Sequence, residues 1–284
     1  MKNVLQIGKT GNLGSEINKY FKEKNYRIFS AVRNPVDKND FLLIPNNPIN
    51  LPKNIKIDLI INAANRYYVN PKPTEVFQMH ESIIGIAKSI YLSNFSCPII
   101  HFSSYLQYLP SEMQPWSDYT IIKSAATEIF NLYGKEKQTL ALELVLYDNY
   151  GGTRKDKFFD LAIDSAMKQT DLQATRGETV VNLTHVFDIV KSLESSIISD
   201  LFNSINHINH SYSIYSADLH SLKHLVDLIE EVLKVRVPVK WGAIPYREKE
   251  VFEFYKSKPL LPRFLQENIL KEYILFRAGN RSSN

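Results

Sequence analysis

Strand-like apolar runs and helix-like spacings take turns along the first half of this chain. "NVLQIG" (Asn3 to Gly8) has the near-continuous apolar character of a buried strand, and "NLGSEINKYFKEKNY" after it sets Leu13, Ile17, Tyr20 and Phe21 at helical intervals. Further strands are predicted in "YRIFSAVR" (Tyr26 to Arg33), "IDLIINAAN" (Ile57 to Asn65), "CPIIHFSS" (Cys97 to Ser104) and "LALELVLYDNYG" (Leu140 to Gly151). Helices are predicted in "TEVFQMHESIIGIAKSIYLSN" (Thr74 to Asn94) and "YTIIKSAATEIFNLYGK" (Tyr119 to Lys135). Such alternation predicts an α/β fold, a Rossmann-like doubly wound parallel sheet, with "DLIIN" and "PIIHF" apolar enough to be covered on both faces. Past Gly151 the pattern loosens, and its clearest element is a helix in "SADLHSLKHLVDLIEEVLK" (Ser216 to Lys234) with Ser216 as N-cap. The expected division is residues 1–150 for the sheet domain and 151–284 mainly for a smaller C-terminal lobe, some later segments returning to the sheet.

Between the first strand and first helix stand Gly8, Gly11 and Gly14, three of only 10 glycines in 284 residues. A strand, a glycine turn and a helix make a dinucleotide phosphate site: the first glycine permits the turn, the second admits pyrophosphate to the backbone, and the third packs helix on sheet. Free N–H groups and the positive end of the helix dipole complete it. The spacing is Gly-x-x-Gly-x-x-Gly rather than the commoner Gly-x-Gly-x-x-Gly, so a plain tight turn is the competing reading.

Composition narrows the classes. With 44% hydrophobic residues the chain can bury a large core, and a net charge of +4, its basic residues scattered, suits an anionic ligand without calling for nucleic acid. The single cysteine, Cys97, excludes an internal disulfide and a cysteine-built zinc site, and the sequence has no long apolar run or leader pattern. A cytoplasmic protein with no membrane partner is expected. His207 and His210 fall in a segment that reads as strand and loop, where packing is the expected role rather than metal binding. The end, "RAGNRSSN", is polar and expected to fray.

In a doubly wound sheet ligands bind beyond the carboxyl ends of the strands. There lie Gly8 onward, Arg33, Asn62 to Asn65, Ser103 and Ser104, and Tyr147 to Gly151. Tyr119 and Lys123, 15 and 19 residues after Ser104, are i and i+4 on a predicted helix, which puts phenol and ammonium on one face. A neighbouring cation lowers a tyrosine pKa, so the pair is suited to proton transfer near neutral pH, with a serine hydroxyl to hold the reacting oxygen.

Taken together, the glycine turn, "NAA" (Asn62 to Ala64), "SS" (Ser103, Ser104), "YxxxK" (Tyr119 to Lys123), "YDNYGG" (Tyr147 to Gly152) and "VVNLTHVFDIVKSL" (Val180 to Leu193) resemble the motifs of the extended short-chain dehydrogenase/reductases. These are NAD-dependent epimerases and dehydratases of nucleotide sugars, and the resemblance runs over most of the chain. It implies Tyr119 as catalytic acid/base, Lys123 lowering its pKa and holding the nicotinamide ribose, and Ser104 polarising the substrate oxygen. It implies a cofactor site of Gly8, Thr10, Gly11, Asn12, Leu13, Gly14, Arg33, Asn62, Ala63, Ala64 and Tyr147, shared with Tyr119 and Lys123. Substrate contacts are expected from Ser104, Asp148, Asn149, Arg154 and Lys157, with Lys155 and Arg247 as further cations for a diphosphate and Arg66, Tyr67 and Tyr68 near the sugar. No metal is expected.

Departures from the family pattern narrow the activity. Family dehydratases carry an acidic pair after the active-site hydroxyl; here Tyr105 and Leu106 follow Ser104, which argues against dehydration. The second strand ends in "SAVRN" rather than at an acidic residue for the ribose hydroxyl, and the fork of Arg33 suits a 2′-phosphate, so NADP(H) is expected over NAD(H). "YDNYGGTRKDKFF" (Tyr147 to Phe159) resembles the CDP-abequose and CDP-paratose synthases, reductases of the 4-keto group in nucleotide-linked deoxysugars. The expectation is NADPH-dependent reduction of a nucleotide-linked 4-keto-6-deoxyhexose by a homodimer formed through the Tyr119 helix. The alternatives are a 4-epimerase with retained NAD and a nucleotide-binding protein without turnover.

Overall fold

The sheet is built where the sequence alternates. The computed structural model describes residues 1–68, 70–202 and 210–279. Strands β1 (Asn3–Ile7), β2 (Arg27–Val32), β3 (Asp40–Leu42), β4 (Leu59–Asn62), β5 (Ile99–Ser104), β6 (Ala141–Leu146) and β7 (Ser211–Ile214) form one sheet in the order β7-β6-β5-β4-β1-β2-β3. Every pairing within it is parallel. The order runs outward from β1 in both directions, so the crevice between the carboxyl ends of β1 and β4 is the switch point where such sheets take ligands.

Consecutive strand residues serve opposite faces, which is why β4 and β5 are apolar without a break. Ile60 and Ile99 pack against helices α2 (Pro73–His80), α3 (Ile86–Leu92) and α4 (Asp118–Glu136), whereas Leu59, Ile61 and Ile100 pack with Ile17 and Phe21 of α1 (Asn12–Glu23). Farther along, α5 (Phe158–Lys168) belongs to the smaller lobe, while α6 (Val186–Leu193) returns beside α1 and places Ile189, Val190 and Leu193 on the sheet. The lobe closes around α5, α7 (Leu222–Leu233) and α8 (Leu270–Gly279), with Phe159, Ile163, Leu225, Ile229 and Ile274 at its centre. Short two-stranded pairs, among them Asp148–Tyr150 with Leu183–His185, join the lobe to the sheet domain.

Helix α7 starts later than Ser216. Its cap is Ser221, whose hydroxyl accepts the His224 N–H at 3.1 Å. The reason is tertiary: His220–Ser221 pairs with Val180–Val181 as a strand, and Ser216 is buried before it, donating its N–H to Asn182 Oδ1 at 2.8 Å. Of the end expected to fray, Arg277 lies within α8 and donates to Asp164 at 2.7 Å, and residues 280–284 lie outside the described residues. His210 is exposed, and His207 lies outside the described residues. Among the described residues no helix is long and apolar enough to cross a membrane.

Candidate active site

The three glycines divide the labour unequally. Gly8 has φ +85°, and a Cβ on it would lie 2.6 Å from the Ala64 backbone nitrogen; a Cβ on Gly14 would lie 1.9 Å from the Gly8 carbonyl oxygen. Turn and helix are therefore in contact through backbone alone. A Cβ on Gly11 would meet only the Gly8 oxygen, at 3.5 Å. Gly11 is the N-cap of α1, whose first turn holds no acidic residue. The buried Gln6 side chain of β1 donates to the Gly14 carbonyl at 2.5 Å and accepts from Asn18 at 2.9 Å, so α1 is fixed at the height that opens its N-terminus to the crevice. This bare, donor-rich cradle fits a dinucleotide pyrophosphate.

From the cradle a cavity of about 1230 Å³ extends between sheet and lobe. It is lined by Gly11, Asn12 and Leu13, by Ala63 and Ala64, by Ser103 and Ser104, by Tyr119 and Lys123, and by Tyr147, Asp148, Asn149, Arg154, Lys157 and Arg247. Most of the residues that the sequence singles out thus line one cavity. The carboxamide oxygen of Asn12 ties the two halves together, accepting the Arg154 N–H at 2.9 Å. Asn62, just below the surface, accepts the Ala64 N–H at 3.2 Å and shapes the strand end.

Several candidates lie elsewhere. Thr10 and Arg33 are exposed beyond the cavity wall, at the turn and at the end of β2. Lys155 donates to the Tyr273 hydroxyl at 2.7 Å, toward the lobe core, and Arg66 lies over the Tyr68 ring, whose hydroxyl donates to Gln78 at 2.6 Å. Tyr67 does reach the wall, with its ring edge-on to Tyr119 at 4.9 Å. Arg154 is paired with Asp156.

Tyr119 and Lys123 occupy the same face of α4, as their spacing requires, but the cation does not lower the phenol. Burial pushes Tyr119 up to about 12, while Asn65 Nδ2 donates to its hydroxyl at 3.0 Å and pulls the other way. The reason is that Lys123 reaches past Tyr119 and donates to the Phe102 carbonyl. Burial also pulls Lys123 down to about 8, opposed by the Glu143 carboxylate. Ser104 ends β5 with its hydroxyl accepting the Leu106 N–H at 3.4 Å, and Tyr105 stacks on Tyr147 at 4.7 Å. Deeper in, burial raises Asp148 against the charges of Lys157 and Arg247, and burial lowers Lys157 against the charge of Asp148.

Sequence reasoning missed Lys9 and Asp40, whose ion pair crosses 31 residues. Lys9 Nζ lies 2.6 Å from Asp40, which also accepts the Val36 and Asp37 N–H groups at 3.1 and 3.0 Å, so one buried carboxylate shapes the loop after Arg33. Burial works against the Asp40 charge, but these donors outweigh it and hold its pKa below 3.8. Its stabilisation is accordingly complete above pH 3.8 and lost as pH falls through the lower folded value. Asp40→Asn should destabilise the protein at pH 7 by about 1–3 kcal/mol. In melting curves from pH 7 to 2.5 the gap from wild type should close below pH 3.8; a constant gap would contradict the assignment.

No family model matches the chain. It is 25% identical to the CDP-abequose synthase of Yersinia pseudotuberculosis over 95% of its own length and 97% of that protein's. Among solved structures, the UDP-N-acetylglucosamine 4-epimerase of Methanobrevibacter ruminantium superposes with a TM-score of 0.77 at 15% identity, covering 99% of this chain and 98% of that one. The UDP-glucuronic acid 4-epimerase of Bacillus cereus, solved with its substrate and NAD, gives 0.73 at 13%, covering 99% of both. In motif order and whole-length similarity the chain resembles the extended short-chain dehydrogenase/reductases, and its seven-stranded parallel sheet is the fold that its solved neighbours share.

Proposed function

We propose that this enzyme reduces the 4-keto group of a nucleotide-linked 4-keto-6-deoxyhexose at the expense of NADPH. The observation that carries the reading is the Tyr119 phenol lining one cavity with Ser104 and Lys123, where Tyr105 and Leu106 follow Ser104 in place of the acids of a dehydratase. A reductase needs a proton donor at rest, and this phenol is one. The similarity to CDP-abequose synthase supports the same direction.

The dinucleotide supplies the hydride when bound, its pyrophosphate on Gly8, Gly11, Asn12, Leu13 and Gly14, with Thr10 at the edge of the turn and Asn62, Ala63, Ala64 and Tyr147 along the crevice. Tyr119 delivers its proton to the developing C4 alkoxide while Ser104 donates a hydrogen bond to the same oxygen, and prepositioned donors count most where charge develops. Lys123, its ammonium turned to the Phe102 carbonyl and not to the Tyr119 hydroxyl, holds the nicotinamide ribose. Arg154 and Lys157 take the substrate diphosphate, and Asp148 and Asn149 take sugar hydroxyls. Arg33 reads the 2′-phosphate; Asp40, saturated by Lys9 and two backbone donors, is not free to bind a ribose hydroxyl. The outer face of α4 leaves Ile121 and Leu132 exposed, apolar positions that a second copy would cover in a homodimer. A cytoplasmic setting, where reduced dinucleotide and nucleotide sugars are made, completes the reading.

The test is loss of reduced-nicotinamide absorbance on mixing the protein with CDP- or dTDP-4-keto-6-deoxyglucose, with NADPH and NADH in parallel. Oxidation in proportion to substrate is expected, faster with NADPH, and Arg33→Ala should cost about 1.5–3 kcal/mol of that preference, the contribution of one hydrogen bond to a charged group. No oxidation, with NAD copurifying, would overturn the reductase in favour of a 4-epimerase.

A further inference from the structure

The two glycines that close "YDNYGG" have no part in the proposed chemistry, yet both stand at a crossing between the two halves of the molecule. Gly151 and Gly152 have φ +82° and +67°. A Cβ on Gly151 would strike the ring of His185, the N-cap of α6. One on Gly152 would strike the Asn12 carboxamide oxygen and lie 3.1 Å from Val186, the first residue of α6. Asn12 is itself the first residue of α1. The turn at 151–154 therefore passes between the opening turns of two helices that both pack on the sheet, and it can do so because it has no side chain at the closest approach.

One side chain joins this turn to the glycine cradle. Asn12 Oδ1 accepts the Arg154 N–H at 2.9 Å and the Thr153 hydroxyl at 3.4 Å. Residues 151–157 form no helix or strand, and their later side chains are tied elsewhere: Lys155 donates to Tyr273 at 2.7 Å, Lys157 to Asn149 at 3.4 Å, and the half-exposed Arg154 guanidinium is paired with Asp156. The backbone of Asn12 serves the opposite side. As the opening residue of α1 it has no acceptor within the helix for its N–H, nor have the two residues after it, and these are groups that a pyrophosphate takes up. Asn12 thus stands between two anion-binding places, one served by its backbone and the other by its side chain, and Gly11, Asn12, Arg154 and Lys157 line the same cavity.

We propose that Asn12 couples the two ligands: a dinucleotide held on its N–H fixes the carboxamide, the carboxamide fixes the 152–154 turn, and Arg154 and Lys157 are then set for the diphosphate of the nucleotide sugar. The inference rests on the placement of cofactor and substrate described above. Its physical basis is shared ordering, since fixing the turn opposes the first ligand and no longer opposes the second. By linkage the effect is reciprocal, with the same factor whichever ligand comes first. Asn12 is in this respect a positioning residue, acting on the substrate through the Arg154 backbone.

The test is calorimetric. CDP and dTDP are titrated into the free protein and into protein saturated with NADP+, or with NAD+ where that is the dinucleotide bound. In wild type the dinucleotide should tighten binding of the nucleotide by about fivefold or more. Asn12→Ala should bring that factor to within about twofold of unity. Asn12→Asp, whose carboxylate oxygen still accepts the Arg154 N–H, should keep the factor even though its charge weakens each ligand taken singly. A merely structural asparagine would alter melting temperature or both affinities and leave the factor where it was. Hydrogen exchange gives a readout that needs no nucleotide: the dinucleotide alone should slow exchange of the Arg154 amide by about fivefold or more in wild type and not in Asn12→Ala. Should neither CDP nor dTDP bind, that exchange rate decides. A wild-type factor within about twofold of unity, or an equal factor in Asn12→Ala, would overturn the proposal. If the factor falls as expected but wild type oxidises no NADPH with either sugar, the coupling stands and the ketoreductase reading falls.

Discussion

Replacing Tyr119 by Phe should lower ketone reduction by about 10²–10⁴-fold, the usual contribution of a positioned general acid. The substitution removes one hydroxyl and leaves the ring, which packs edge-on against Tyr67 and is buried beside Ile122 and Ala126. The fold is expected to survive it, since the hydroxyl's hydrogen bond comes from the exposed Asn65 carboxamide, which water can satisfy instead. Dinucleotide affinity should change by no more than a few fold, measured by quenching of protein fluorescence with NADPH. The pH profile supplies a second check. A phenol held near 12 stays protonated across the working range, so the alkaline limb of wild type should follow Lys123 near 8 rather than Tyr119. Rate loss in the Phe variant below tenfold, with binding intact, would remove Tyr119 from the chemistry.

Gly14→Ala should be more damaging than Gly11→Ala, although both add one methyl group to the same motif. The methyl carbon at Gly14 would sit 1.9 Å from the Gly8 oxygen and 2.8 Å from its carbonyl carbon, both backbone atoms that cannot swing aside. Relief requires α1 to lift from β1, which pulls Ile17 and Phe21 from the core and breaks the hydrogen bond of Gln6 to the Gly14 carbonyl. Overpacking of this kind costs about 3 kcal/mol or more, a fall of roughly 10 °C in melting midpoint for a protein of this size. At Gly11 the methyl carbon stands 3.5 Å from its nearest neighbour, an ordinary contact, so that variant should melt within a degree or two of wild type. What Gly11→Ala should lose is dinucleotide affinity, because its backbone lines the cavity where pyrophosphate would approach. Equal melting points for the two variants would refute this division of roles.

Whatever depends on neighbours along the chain could be read from the residues in order. Seven-strand order aside, the parallel sheet was legible because strands covered on both faces must be apolar at consecutive positions, and because glycines at 8, 11 and 14 between strand and helix have few other uses. The four-residue interval from Tyr119 to Lys123 was enough to place both on one face of α4. Tertiary structure decided what depends on residues far apart. Ser221 caps α7, and not Ser216, because a strand pairing with Val180–Val181 intervenes. Lys9 meets Asp40 only when β2 and β3 align beside the glycine turn. The charge in "LALELVLY" was visible as one glutamate in an apolar run, but nothing local announces that the Tyr108 and Ser211 hydroxyls converge on it. Tyr119 makes the same point in one side chain: spacing put a cation beside it, yet burial moved its pKa upward. Spacing fixes direction along a helix, whereas desolvation is set by everything the fold packs around a group.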